Sequence, residues 1–212
     1  MTVQQAYIVA AKRTPIGKAP RGVFSSYRPD ELLAEAIRGM LADVPKLDPA
    51  AIEEVVAGCA LPEGPQGFNV ARISALLAGL PHTVAGMTVN RFCASGLEAV
   101  NMAANQVRGG AGMAYVAGGV ECMSRVPMGT DGGAIAVDPQ IAIDNYFVPQ
   151  GISADIIACP EGKLPDTSFT SCGTISGRPR SMNVLISSDT ITPSSDDATT
   201  AVAVRRCPLS IR

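Results

Sequence analysis

The feature that most constrains this chain is a regular alternation of short apolar runs with helix-patterned ones over its first 120 or so residues. Residues 6–11 (Ala-Tyr-Ile-Val-Ala-Ala) read as a buried strand that stops at Lys12-Arg13-Thr14-Pro15, and a Gly/Pro-rich loop follows. Pro29-Asp30-Glu31 has the composition of a helix start, leading into a helix whose apolar face is Leu33, Ala36, Ile37 and Met40. Residues 52–59 give a second strand centred on Val55 and Val56. Asn69 is then a plausible N-cap for a helix running to Leu80, with Val70, Ile73, Leu76, Leu77 and Leu80 as its apolar positions and Pro81 as its stop. Residues 87–89 and 113–117 are further strands. The order β-α-β-α-β-α-β predicts an α/β fold, a mostly parallel sheet with helices on both faces. In such sheets function gathers where strands end and helices begin.

One of those junctions carries the candidate chemistry. After the strand at 87–89 comes a tight polar turn holding Cys93, and after it a helix. Leu97, Val100, Ala104 and Val107 recur at helical spacing and define the expected core face. Glu98, Asn101, Asn105 and Arg108 fall on the opposite face. Ser95 and Glu98 have the spacing of a capping box, and Gly109-Gly110 supplies a stop. Cys93 thus falls just before or within the first helical turn. There, unpaired amides and the positive end of the helix dipole favour the thiolate, the form that attacks carbonyls. Arg91 brings positive charge close in sequence, and Gly96 leaves room for backbone or ligand. A free cysteine is equally at home as a small buried hydrophobe, and the turn alone leaves both readings open.

Composition excludes several classes. A net charge of −2 and a pI near 5.4 argue against a nucleic-acid or membrane-surface partner. The first 14 residues lack the basic start and apolar core of a signal peptide, and no apolar run is long enough to span a bilayer. The six cysteines (59, 93, 122, 159, 172 and 207) form no C-x-x-C pair, so a reduced, cytoplasmic setting is expected and no metal site is. From residue 120 to about 158 the chain turns loop-rich, with one short helix expected at 153–158. Residues 159–212 then hold 16 Ser and Thr, against 11 in the first 158, and show no sustained helical or strand periodicity. That composition reads as a disordered tail or as a slipped reading frame; the break falls inside a helix pattern, which favours the second.

The motifs now carry a resemblance. Arg13-Thr14-Pro15-Ile16-Gly17-Lys18, Ala71-Arg72 with Leu80-Pro81, Val89-Asn90-Arg91-Phe92-Cys93-Ala94-Ser95-Gly96-Leu97, and Gly118-Gly119-Val120-Glu121-Cys122-Met123-Ser124 occur in order. Over residues 1–158 the chain resembles the N-terminal part of thiolases, the acyl-CoA C-acyltransferases. The resemblance implies the first of two similar α/β halves at 1–120, the start of an inserted loop region at 121–158, and an unrelated, irregular tail at 159–212. It implies that Cys93 is the acyl-carrying nucleophile, with coenzyme A and acyl-CoA as substrates, no tightly bound cofactor, and a homo-oligomer. Residues that bind coenzyme A are not assigned.

The resemblance also sets an expectation of low activity. In the family a Gly-His-Pro motif supplies the base, a Cys-x-Gly motif a second proton carrier, and an Asn-Glu-Ala segment part of an oxyanion site. None of these is found in the 212 residues; Ser171-Cys172-Gly173 has the wrong neighbours, and the single histidine, His82, reads as a solvent-facing loop residue. A truncated thiolase that turns over poorly or not at all is the resulting expectation. A ketoacyl-synthase-like condensing enzyme and a non-catalytic subunit that binds longer thiolase chains are the competing readings. A cysteine protease lacks an orienting histidine near Cys93, and a zinc protein lacks spaced ligands.

Overall fold

The computed structural model describes residues 4–128, 139–140 and 196–206, with no side-chain description at 196–200 and 204–206. The chain divides into two compact units, residues 1–135 with 193–212, and residues 136–192. The first carries every element discussed here. The helix expected at 153–158, most of the expected loop region and most of the expected tail lie outside the described residues.

Five strands form one sheet in the order β1-β6-β5-β3-β4: β1 (Ala6–Arg13), β3 (Ile52–Gly58), β4 (Ala85–Val89), β5 (Ala114–Glu121) and β6 (Asp196–Arg206). A two-residue strand, β2 (Gly17–Lys18), pairs with the start of β6. Strand β3 is parallel to both β4 and β5, and β6 is antiparallel to both β5 and β1. Four main strands therefore run one way and β6 alone runs the other, so the expected mostly parallel sheet is what forms.

Strand β6 corrects the expectation for the tail. Residues 196–206 are not irregular: they pair along both edges, Tyr115 with Val204 on one side and Ile8 with Val204 on the other. Ala201 and Ala203 are buried in the core. The β-branched and small residues Thr199 to Val204 suit a strand closed in on both sides. Their signal was masked by the Ser/Thr-rich residues before them.

Side chains of a strand alternate between faces, and β5 shows what each face meets. Val116 and Val120 join Leu33, Ile37, Met40, Val70 and Val84 in the larger core cluster, under α1 (Pro29–Ala42) and α2 (Val70–Leu77). Tyr115 and Ala117 join Ala103 and Val107 of α3 (Ser95–Gly109) on the other face. Helices thus cover both faces, as the sequence pattern predicts. The apolar face read for α1 is buried as expected, and its start is fixed by Pro29 and by Asp30, which the Arg28 guanidinium holds at 2.6 Å.

Helix α2 is shorter than its pattern. It ends at Leu77 because Gly79 takes a left-handed conformation (φ +85°), which lets the Leu80 amide turn back to the Ala75 carbonyl at 3.1 Å. Leu76 and Leu77 are consequently exposed, and the buried stripe is Val70, Ala71, Ser74 and Ala75. The N-cap stands: the Asn69 side chain accepts from the Arg72 amide.

Candidate active site

Because β3, β4 and β5 are parallel, their carboxyl ends lie side by side, with Gly58 in register with Val89 on one side and Gly119 on the other. Each strand delivers one part of a site there. From β3 comes the Gly58-Cys59-Ala60 exit, from β4 the turn Asn90–Ala94, and from β5 Glu121 and Cys122.

The turn is short and over-determined. Asn90 accepts from the Phe92 amide through Oδ1 at 2.7 Å, an Asx-type turn two residues long. Phe92 sits in the left-handed region at φ +50°, which costs energy for an aromatic residue and needs fixing from outside. Ser95 supplies part of that fixing. Its hydroxyl donates to the Phe92 carbonyl at 2.5 Å and accepts from the Arg91 amide at 2.8 Å. Cys93 is exposed at the head of this turn, with Ala94 as N-cap and α3 beginning at Ser95. Cys93 therefore precedes the helix rather than entering it, and the Ser95 amide at the start of α3 donates to the Phe92 carbonyl at 3.0 Å.

Two expectations change here. Ser95 and Glu98 do not form a capping box: Ser95 is the first helical residue and closes the turn behind it, while Glu98 pairs with Arg91 at 3.3 Å. The positive charge of Arg91 is thus offset by a carboxylate one turn into the helix. The buried stripe of α3 also differs, being Ser95, Ala99, Ala103 and Val107, with Val100 and Ala104 packed beside it and Leu97 two-thirds exposed. The cause lies in the floor beneath. A Cβ on Gly58 would collide with the Ser95 carbonyl carbon and the Gly96 amide, and one on Gly119 would stand 2.9 Å from the Gly58 oxygen. Only small side chains fit where the helix start rests on two glycine strands. The stop is as expected, with Gly110 left-handed at φ +79°.

Behind the turn lies a polar cluster of which the sequence motifs contain Asn90 and Glu121 but not Gln66. The Glu121 carboxylate accepts from the Ala60 amide and from Gln66 Nε2, both at 2.8 Å. Gln66 is fully buried, donates also to the Leu61 carbonyl, and accepts from the Cys122 amide at 2.5 Å. Asn90 Nδ2 reaches the Ala60 carbonyl at 3.0 Å. Burial pushes the Glu121 carboxyl above its ordinary range, against the pull of its hydrogen bonds with Gln66, Ala60 and Leu61. Burial, reinforced by the nearby Glu121 charge, pushes the Cys59 thiol up to about 12. Cys59 is thus a protonated, enclosed thiol and Cys122 is enclosed as well, while Cys93 is the exposed one among the three described cysteines. A carboxylate placed directly after an apolar strand that ends Gly-Gly-Val was the signal available for Glu121.

His82 is exposed between α2 and β4, as expected, and its carbonyl accepts from Arg72 at 2.8 Å. Among the described residues, no group of three His, Cys, Asp or Glu side chains could hold a metal ion. No helix among them is long and apolar enough to cross a membrane.

The chain is matched by one family model over most of its length. The model for the thiolase N-terminal domain covers residues 6–157. The chain belongs to the thiolase family. A 3-ketoacyl-CoA thiolase of Shewanella sp. strain MR-7 is 47% identical over 126 residues, which span 59% of this chain and 33% of that one. Its counterpart in Shewanella oneidensis is 46% identical over the same length. Among solved structures, the acetyl-CoA acetyltransferase of Bacillus anthracis superposes with a TM-score of 0.55 at 36% identity, over 58% of this chain and 30% of that one. The chain matches about a third of the length of these thiolases.

Proposed function

We propose that this chain is the cysteine-bearing half of a thiolase and that Cys93 is its acyl acceptor. The observation that carries the reading is the placement of an exposed cysteine on a fixed turn at the N-terminus of α3, in a chain of the thiolase family. In the proposed step the Cys93 thiolate attacks the carbonyl carbon of an acyl-CoA thioester. A C–S bond forms to Cys93, the C–S bond to coenzyme A breaks, and the coenzyme A thiolate leaves and takes a proton from water. With a 3-ketoacyl-CoA the attack falls on the 3-keto carbon instead; the carbon–carbon bond breaks, and the departing thioester enolate takes a proton from water to become acetyl-CoA.

Completion of the cycle is where this chain falls short in the proposal. Thiolysis requires a base to activate the incoming coenzyme A, and Claisen condensation one to deprotonate acetyl-CoA. The single histidine, His82, is on an exposed loop. Loss of a positioned base typically costs about 10²–10⁴ in rate. Loss of one oxyanion donor costs about 10²–10³. We therefore expect acylation without efficient turnover from these 212 residues, in a cytoplasmic homo-oligomer. The test is rapid-quench kinetics with acetoacetyl-CoA and excess coenzyme A: a burst of about one equivalent of acetyl-CoA per chain with little after it supports the reading, and no burst contradicts it. Sustained turnover at the rate of a full-length thiolase would contradict it.

A second reading, a non-catalytic subunit, draws on the exposure of Phe92 (60%) and Leu97 (67%) beside the turn. Large apolar side chains so placed suit a protein partner. Recovery of a longer thiolase chain bound to this one, equally with Cys93→Ala, would favour it. A ketoacyl-synthase-like condensing enzyme remains a neighbour in chemistry, distinguished by acylation from an acyl carrier protein rather than from coenzyme A.

A further inference from the structure

The hydrogen bonds behind the turn form a continuous path from the end of β5 to the residue before Cys93. The Cys122 amide donates to Gln66, Gln66 donates to Glu121, and Glu121 accepts from the Ala60 amide. On the other side of the same residue, the Ala60 carbonyl accepts from Asn90 Nδ2, and Asn90 Oδ1 accepts from the Phe92 amide. Asn90 is the only member of this path that touches both the fixed strand ends and the turn. Its amide is used at both ends, donor toward β3 and acceptor toward Phe92. No other neutral side chain of that size offers both groups at that separation.

The strain lies one residue away. Phe92 is held at φ +50°, and an aromatic residue has little reason to stay there alone. If Phe92 relaxed to the extended region, the turn would open and Cys93 would swing away from the start of α3. We propose that Asn90 is a positioning residue for Cys93: it clamps Phe92 in the left-handed conformation and ties it to the Ala60–Glu121–Gln66 anchor, holding the thiol in front of the α3 N-terminus. Glu121 and Gln66 act at one remove, by fixing the peptide that Asn90 grips. The proposal rests on Cys93 being the reactive group, and extends it by naming what aims it. The charged groups on the flanking turn and helix, Arg91 and Glu98, pair with each other at 3.3 Å.

The test separates aim from fold. In the full chain, the rate of Cys93 alkylation by iodoacetamide is followed at a fixed pH by peptide mass spectrometry, for wild type and Asn90→Ala. The unfolding midpoint is measured on the same samples. Asn90→Ala is expected to slow alkylation by about fivefold. Adding Phe92→Asn, a residue that tolerates the left-handed region, should recover part of that rate although the clamp stays absent. An unchanged rate in Asn90→Ala, whatever happens to its thermal stability, overturns the proposal, as does a loss that Phe92→Asn leaves unrelieved. Should Asn90→Ala fail to fold, Asn90→Ser keeps an acceptor for the Phe92 amide and loses the donor to Ala60. It should show a smaller loss in the same direction, and no loss overturns the proposal. Acetylation by acetyl-CoA is scored separately on the wild type. Absence of an acetyl adduct with the expected loss of alkylation rate in Asn90→Ala would then refute the acyl-acceptor reading and not the positioning of Cys93.

Discussion

Gly58, the last residue of β3, lies against the amide of Gly96 in the first turn of α3 so closely that a methyl group on Gly58 has no space. The contact sets the height of the helix start above the sheet, and with it the height of the Cys93 turn. Gly58→Ala must push α3 outward or bend β3. Overpacking of this kind typically costs about 1–3 kcal/mol, occasionally more. A fall of that size in unfolding free energy, accompanied by a slower reaction of Cys93 with iodoacetamide, is the expected result in urea titrations and alkylation assays.

Ser95→Ala removes both hydrogen bonds that its hydroxyl makes in the turn and leaves the Arg91 amide without its acceptor. Each net hydrogen bond contributes about 0.5–1.5 kcal/mol, and an unsatisfied buried group about 1–3 kcal/mol. We expect a loss of about 1–3 kcal/mol, measurable as a lower thermal midpoint. Ser95→Thr, which keeps the hydroxyl, should lose less.

The cysteines should report their environments directly. Cys59 and Cys122 are fully buried, and the Cys59 thiol is pushed up to about 12, whereas Cys93 is exposed. Thiolate is the reacting form. Brief alkylation of the native chain at pH 8, followed by peptide mapping, should label Cys93 and spare Cys59 and Cys122. All three should be labelled once the chain is unfolded in guanidinium.

Glu121 links stability to pH. Its carboxyl releases a proton above the ordinary value of about 4.3, because burial disfavours the charge. Between the ordinary value and the raised one, the native state holds a proton that the unfolded chain has lost. The contribution of this group to stability therefore falls as pH rises through that window and levels off above it. Glu121→Gln cannot titrate. The difference in unfolding free energy, wild type minus variant, should decrease with rising pH from about 4 upward and then become flat. A difference that grows with pH would contradict the burial argument.

Much of this architecture is legible from residue patterns, and the misses have physical causes. Strands β3, β4 and β5 and the apolar face of α1 follow from short apolar runs and 3.6-residue spacing, whereas β1, expected to be buried, is a strand with Tyr7, Ile8 and Val9 exposed. The orientation of α3 does not, because counting apolar residues selects Leu97, whereas the floor of Gly58 and Gly119 admits only Ser95, Ala99 and Ala103. Helix α2 is cut short by Gly79, a local backbone preference that outweighs a continuing apolar pattern. Strand β6 is hidden by its surroundings: its seven residues 198–204 are ordinary strand formers, but averaging over the Ser/Thr-rich stretch dilutes them. Cys93 is conspicuous from sequence because a strand, a turn and a helix meet there. Asn90, Gln66 and Glu121 are not, since their relation depends on three strand ends brought together by the sheet.

The most direct test of the account is whether Cys93 accepts an acyl group. The purified chain is incubated with acetyl-CoA, digested, and analysed by peptide mass spectrometry beside Cys93→Ala. The account predicts an acetyl group on the peptide containing Cys93, absent from the same peptide in the variant and removed by neutral hydroxylamine, as a thioester is. An unmodified Cys93 that still alkylates readily with iodoacetamide would contradict it, leaving a thiolase-family fold whose exposed cysteine does no acyl chemistry.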